Sequence, residues 1–135
     1  MKVNTNYMGL NLESPIVVSA CTLSEKLDNI VQMEDHGAGA VVMFSLFEEQ
    51  IRKEDLRYNH VISSTSNSFA EASDYFPNMD EFNIGIDDYL ENIRKAKERV
   101  KMPVIGSLNG ITTEGWIDYS RLIEQAGADA LEVNI

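Results

Sequence analysis

The chain is poor in several things, and each shortage excludes something. It has one cysteine, Cys21, so no internal disulfide framework can form, and a lone thiol suits a reducing cytosol. Basic residues are scarce: 11 Lys+Arg stand against 22 Asp+Glu, a formal net charge of -11. With pI ≈ 4.5 and no clustered basic face, nucleic acid and anionic membrane surfaces are poor partners. No apolar run approaches the roughly 18 to 20 residues of a membrane span. The opening Met1-Lys2-Val3-Asn4 lacks the charged-then-apolar layout of a signal peptide, so a cytoplasmic location is expected. The two histidines, His36 and His60, form no cluster with metal-ligand spacing. Gly37-Ala38-Gly39 precedes a strand, whereas a phosphate loop follows one, and Gly106-Ser107-Leu108-Asn109-Gly110 has neither the nucleophile-elbow context nor a nearby histidine. Hydrophobic residues nevertheless make up 44% of the 135, enough to exclude intrinsic disorder and to bury a core.

What is present is a series of short apolar runs separated by helical patterns. Pro15–Ala20, Gly39–Phe44, Pro103–Leu108 and Ala130–Ile135 read as strands. They are continuous rather than alternating, as expected of a parallel sheet covered on both faces. Between them the pattern predicts helices: one capped by Ser24 and stopped at Gly37, one capped by Asp87 and running to Val100, one capped by Thr113 and stopped at Gly127. Glu91 and Lys95 form an i, i+4 pair on the second of these. The stretch from Phe47 to Asn59 is expected to start as a helix, its acids before its bases, in keeping with the helix dipole. Residues 60–83 are polar and aperiodic, and read either as a solvated loop insertion or as a binding loop.

An internal repeat sharpens the fold. Pro15-Ile16-Val17-Val18-Ser19 resembles Pro103-Val104-Ile105-Gly106-Ser107, and His36-Gly37-Ala38-Gly39-Ala40-Val41 resembles Ala126-Gly127-Ala128-Asp129-Ala130-Leu131. Pro15 thus corresponds to Pro103 and Gly37 to Gly127, offsets of 88 and 90. Repeated strand–helix units with tight Gly-Ala turns point to an α/β barrel or a doubly wound sheet. A (β/α)₈ barrel needs about 200 to 250 residues, and four strands are visible here. The expectation is therefore an α/β fold of parallel TIM-barrel type, with residues 1–135 supplying its first four strands, the N-terminal half. Ligands in such folds sit at the strand C-termini. Those positions hold Ser19, Ala20 and Cys21; Phe44 and Ser45; Ser107, Leu108, Asn109 and Gly110; and Asn134. Small and amide-bearing residues there suit a flat polar ligand, or simply end strands. Cys21 reads more readily as a small buried hydrophobe than as a nucleophile.

In this order the motifs resemble the dihydroorotate dehydrogenase family of FMN-dependent barrels. Met8-Gly9-Leu10-Asn11-Leu12-Glu13-Ser14-Pro15 is similar to the family's N-terminal hairpin and strand start. Gly37-Ala38-Gly39-Ala40-Val41-Val42 resembles its second strand entry, and Pro103–Gly110 its third strand. Leu131-Glu132-Val133-Asn134-Ile135 resembles the strand leading into its Asn-x-Ser-Cys-Pro-Asn loop. The resemblance implies an FMN cofactor and a flavoprotein oxidoreductase acting on the CH–CH bond of a reduced pyrimidine-like ring in pyrimidine biosynthesis. It implies FMN contacts at Ser19, Ala20, Cys21, Ser45, Asn109 and Asn134, and substrate contacts at Asn67 and Asn134. It implies no catalytic base within this chain, the family's Cys or Ser following Asn134, and an FMN phosphate site later still. A homo-oligomer is compatible with it. One departure stands out: the family usually has a lysine at the end of the second strand, and here that position is Phe44, which removes a cation beside the flavin or its substrate. Two other readings compete with it, a non-catalytic half-barrel acting by assembly and another phosphate-binding barrel enzyme of aldolase or synthase type.

Overall fold

A computed structural model describes residues 3–52 and 85–135. The candidate Asn67, the 60–83 stretch and the later part of 47–59 lie outside the described residues. The chain opens with an antiparallel hairpin, β1 (Thr5–Tyr7) and β2 (Leu10–Leu12). Its two-residue turn places Met8 and Gly9 at φ 51° and 78°, the left-handed pair that matches strand twist. Then come β3 (Val17–Val18), a 3₁₀ turn (Thr22–Glu25), α1 (Leu27–Asp35), β4 (Ala40–Val42) and β5 (Leu46–Phe47). Residues 48–52 are helical and are termed α2. After them come α3 (Ile86–Arg99), β6 (Val104–Asn109), α4 (Thr113–Gln125) and β7 (Ala130–Val133).

All pairings within the main sheet are parallel. β3 lies beside β4, β6 pairs with both β4 and β5, and β7 pairs with β6. Since β4 and β5 share one partner and follow each other, they are two pieces of one strand. The sheet therefore holds four strands in chain order, as expected, though each regular segment is shorter than its apolar run, except β6. Parallel neighbours in chain order need crossover helices, and these cover one face. Ile30 of α1, Tyr89, Leu90, Ile93 and Ala96 of α3, and Ile123 of α4 bury with Val41, Val104 and Leu108 of the sheet. The hairpin serves the opposite face, where Leu12 packs on Ala40, Val42 and Ile105. No helix among the described residues is long and apolar enough to cross a membrane.

The internal repeat is visible bond for bond. The amide of Gly37 donates to Glu34, of Ala38 to Met33 and of Gly39 to Ile16; those of Gly127, Ala128 and Asp129 donate to Glu124, Ile123 and Val104. Gly37 and Gly127 sit at φ 93° and 98°, which is why the residue is glycine at both turns.

Three helix starts differ from the sequence expectation. Ser24 does not cap α1: it is buried in the 3₁₀ turn, its hydroxyl donating to the Cys21 carbonyl at 2.8 Å, and α1 begins after Lys26. Asp87 lies inside the first turn of α3, whose N-cap is Gly85; there it faces the dipole with Asp88, opposite Lys97 and Arg99 in the last turn. Thr112, not Thr113, caps α4, accepting from the Gly115 amide at 3.0 Å. The Glu91–Lys95 pair forms at 3.6 Å with both side chains half exposed, and so contributes little.

Candidate functional site at the strand ends

The site begins with a register slip. Val41 and Val42 lie opposite Val104 and Ile105, but Leu46 and Phe47 lie opposite Leu108 and Asn109. Between Val42 and Leu46 the strand spends one residue more than its partner, so Met43–Ser45 forms a β-bulge. Side chains alternate across a strand, and Val42 faces the hairpin. Strict alternation would aim Phe44 the same way. The extra residue instead sends Phe44 to the helix side, where its ring meets Tyr89 edge-on, centroids 4.9 Å apart at 84°. Leu46 is buried on that side too, so Ser45 faces the hairpin side. The position at which the resemblance places a lysine is thus a packing position here.

The bulge leaves a gap in the ladder. The last regular bond before it runs from the Met43 amide to the Ile105 carbonyl, 2.8 Å. Two residues on, the Ser107 amide and carbonyl face the same neighbour. The Tyr89 hydroxyl takes that neighbour's place at the amide, accepting from it at 2.9 Å, and it also donates at 3.2 Å to the Ser107 carbonyl, which the ladder resuming at Leu46 reaches as well. Burial pushes the Tyr89 phenol up to about 12; the bond to Ser107 opposes this and the nearby Glu132 charge adds to it.

Across β6 from the bulge, Ser107 lies opposite Glu132 of β7. Its hydroxyl donates to Glu132 Oε1 at 3.0 Å and lies 2.9 Å from Ser45 Oγ. Asn134 Nδ2 donates to Ser107 Oγ and to Glu132 Oε1, each at 3.3 Å, while the Asn134 amide donates to the Leu108 carbonyl. Ser45, Ser107, Glu132 and Asn134 therefore form one hydrogen-bonded cluster on three adjacent strands, at their C-terminal ends. Ser107 is fully buried and Asn134 is exposed. Asn109 ends β6 opposite Phe47, beyond the cluster. Ser19 and Ala20 follow β3, and Cys21 spends its carbonyl on Ser24. Ser19 and Glu132 share the wall of a cavity of about 410 Å³ with Val42 and Ile105 of the sheet and Tyr7 and Met8 of the hairpin.

A second buried carboxylate fixes the loop after Asn109. Glu48, at the start of α2, accepts from the Ile111 amide (2.6 Å), the Thr112 amide (2.9 Å) and the Thr112 hydroxyl (2.5 Å), with Arg52 at 3.4 Å. Burial alone would raise its pKa; these hydrogen bonds and the Arg52 charge outweigh burial and hold it below the usual value. A Cβ on Gly115 would stand 2.3 Å from this carboxyl carbon, so α4 reaches Glu48 only because position 115 is glycine.

Three of these residues escape a reading by pattern. Dipole order accounts for an acid at the start of α2 without revealing what Glu48 binds. Tyr89 reads as one more member of the apolar face of α3. Glu132 carried the clearest signal, a charge in the middle of an apolar strand.

No protein-family model matches the chain. Among curated proteins, it is 30% identical over 133 residues to the catalytic subunit of dihydroorotate dehydrogenase B (NAD(+)) of Thermoplasma acidophilum, covering 98% of this chain and 41% of that protein. Against the same-named subunit of Methanocaldococcus jannaschii the identity is 26% over 136 residues, with the same coverage. Against the NAD-dependent dihydropyrimidine dehydrogenase subunit PreA of Escherichia coli K12 it is 22% over 134 residues, covering 31% of that protein. The chain thus spans about two fifths of the dihydroorotate dehydrogenases it matches. Nearly all of its length takes part in each match, and by that similarity the chain is a homologue of the dihydroorotate dehydrogenase family.

Proposed function

We propose that these residues form the first four strand–helix units of a (β/α)₈ barrel, in a flavin-dependent oxidoreductase that acts on the CH–CH bond of a reduced pyrimidine-like ring. The observation that carries this reading is the polar cluster of Ser45, Ser107, Glu132 and Asn134 at the C-terminal ends of parallel strands, where α/β barrels bind their ligands. The names of the relatives support the substrate class: they are dehydrogenases of dihydroorotate and of dihydropyrimidines.

The residues fit an FMN. Its isoalloxazine is a flat ring system with an apolar body and a uracil-like polar edge. The cluster offers side-chain hydrogen-bonding groups for that edge, and Val42 and Ile105 line the adjoining cavity with apolar surface. Ser45, Asn109 and Asn134 would hold the polar edge, and the Ser19–Cys21 loop would flank the ring. Asn134 would also orient the substrate, a role that Asn67 shares in this reading. The redox chemistry there would come from the bound FMN as hydride acceptor. The protein's own part is orientation: Tyr89 and the β6–β7 ladder hold Ser107 and Asn134 in place before a ligand arrives, which lowers the ordering cost of binding. A cytosolic setting is in keeping with the unpaired Cys21.

The test is made on the full-length protein. Its absorbance should show a bound flavin, released on denaturation as FMN. Anaerobic addition of 5,6-dihydrouracil or dihydroorotate should bleach that flavin. A protein that carries no flavin, and takes none up when FMN is supplied, overturns the reading.

A further inference from the structure

We infer that the strand-end cluster is an acceptor-only site: it selects a ligand edge that presents ring N–H groups, a cyclic imide or lactam, and rejects the same edge once it is N-methylated. The inference rests on the reading above for its choice of probes.

Ser107 has one hydroxyl proton, and it goes to Glu132 Oε1 at 3.0 Å, since a carboxylate has only acceptors to offer. In its 2.9 Å contact with Ser45, Ser107 must therefore accept, and the Ser45 proton is used as well. The two protons of Asn134 Nδ2 go to Ser107 Oγ and Glu132 Oε1. Ser107 Oγ is then complete, with one bond donated and two accepted. Every donor of the cluster points inward, and the chain of donation ends on one carboxylate oxygen.

What remains for a ligand is uniform in sign. The lone pairs of Ser45 Oγ, Asn134 Oδ1 and Glu132 Oε2 are acceptors, carried on three neighbouring strands. The Tyr89 hydroxyl proton is bound to the Ser107 carbonyl. Among the described residues, the ion pairs of Arg52, Arg94, Lys95 and Lys97 are made with Glu48, Glu91 and Asp129, away from the cluster. A ligand carbonyl placed against three acceptors loses its water and gains nothing, whereas an N–H gains a bond assisted by the Glu132 charge. The matching chemistry is the C(=O)–NH unit, which occurs both on the pyrimidine edge of a flavin and in a pyrimidine-type substrate.

Two pairs of probes separate these sources on the full-length protein. FMN is compared with 3-methyl-FMN by flavin fluorescence, and uracil with 3-methyluracil by calorimetry. The methylated member of at least one pair should bind about 10- to 100-fold more weakly, the span of one hydrogen bond to a charged group. The pair that discriminates identifies the ligand seated on the cluster. In Glu132→Gln, whose carboxamide can turn a donor outward, and in Ser45→Ala, which removes one outward acceptor, that ratio should shrink to within about threefold. Two variants are used so that misfolding of one leaves the other to decide. Equal affinity within both pairs overturns the inference and leaves the flavin reading standing. Discrimination between the uracils by a protein that binds no flavin supports the inference and overturns the flavin reading. Binding of none of the four probes overturns both.

Discussion

Replacing Tyr89 by Phe isolates what one buried hydroxyl contributes to the strand-end architecture. The ring and its edge contact with Phe44 remain, so the packing change is small. What is lost is the pair of bonds that fills the bulge gap, at 2.9 Å to the Ser107 amide and 3.2 Å to its carbonyl. Both groups belong to a fully buried residue; the ladder that resumes at Leu46 still serves the carbonyl, whereas the bulge leaves the amide to the hydroxyl. An orphaned buried polar group costs about 1–3 kcal/mol, and only the amide is orphaned, so the expected loss is about 1–3 kcal/mol. Urea unfolding of the wild-type and variant proteins measures it. A second signature lies in the alkaline limb. The phenol is raised from 10.0 to about 12 on folding. The stabilisation this represents is fully present below pH 10 and is lost as pH rises through about 12, to a total of roughly 3 kcal/mol. In Tyr89→Phe that part of the limb should be missing. A stability loss under about 0.5 kcal/mol, with the alkaline limb unchanged, would mean that Ser107 is satisfied without the tyrosine, and the account of the bulge would fall.

Glu48→Gln should destabilise by about 2–3 kcal/mol, because a carboxamide cannot accept from the two amides and the hydroxyl that the carboxylate serves. Its pKa is lowered on folding, so its stabilisation is complete above the usual 4.5 and is lost as pH falls through the folded value; unfolding curves taken from about pH 6 down to 3 should show this acid limb in wild type and not in the variant. Gly115→Ala should destabilise by about 1–3 kcal/mol, against the roughly 1 kcal/mol that helix propensity would return, and thermal melts should show its cost reduced when combined with Glu48→Ala, which removes the carboxyl it strikes. Phe44→Lys should cost about 1–3 kcal/mol by placing an ammonium against Tyr89, and should leave dihydroorotate turnover by the full-length protein no better than wild type; a gain in turnover would show that position 44 faces the ligand.

The elements that the sequence makes legible are those decided locally. Gly37 and Gly127 announce left-handed turns because only glycine adopts that conformation cheaply, and the same residue appears twice at equivalent places. The strands announce themselves because burial on both faces demands unbroken apolar runs. The caps slip because their choice is made at a distance. Thr112 and Thr113 are equally able to cap a helix, and Glu48, more than 60 residues earlier, binds the hydroxyl and amide of the first. Ser24 has the right chemistry for a cap, yet burial turns its hydroxyl back onto Cys21. The family resemblance could place Ser45, Asn109 and Asn134 at strand ends, since strand position follows from pattern. It could not tell that Ser45 and Asn134 meet through Ser107 while Asn109 stays apart.

The bulge is the feature no periodicity contains. Met43-Phe44-Ser45-Leu46-Phe47 has no glycine or proline to mark an irregularity, and apolar residues on both sides of Ser45 hide the change of face. Its cause is a partnership between distant residues. The Tyr89 ring offers Phe44 an apolar contact on the helix side, and the Tyr89 hydroxyl satisfies the backbone that the slip exposes. Each half needs the other: without the slip, the Ser107 amide would pair with its neighbouring strand and the hydroxyl would lose that donor; without the hydroxyl, the slip would orphan the Ser107 amide. One extra residue therefore decides the chemistry of the strand end, because it exchanges a phenyl ring for the Ser45 hydroxyl next to Ser107. The residue type at position 44 matters to the site through this exchange, and a substitution there is felt by Ser107 before it is felt by any ligand.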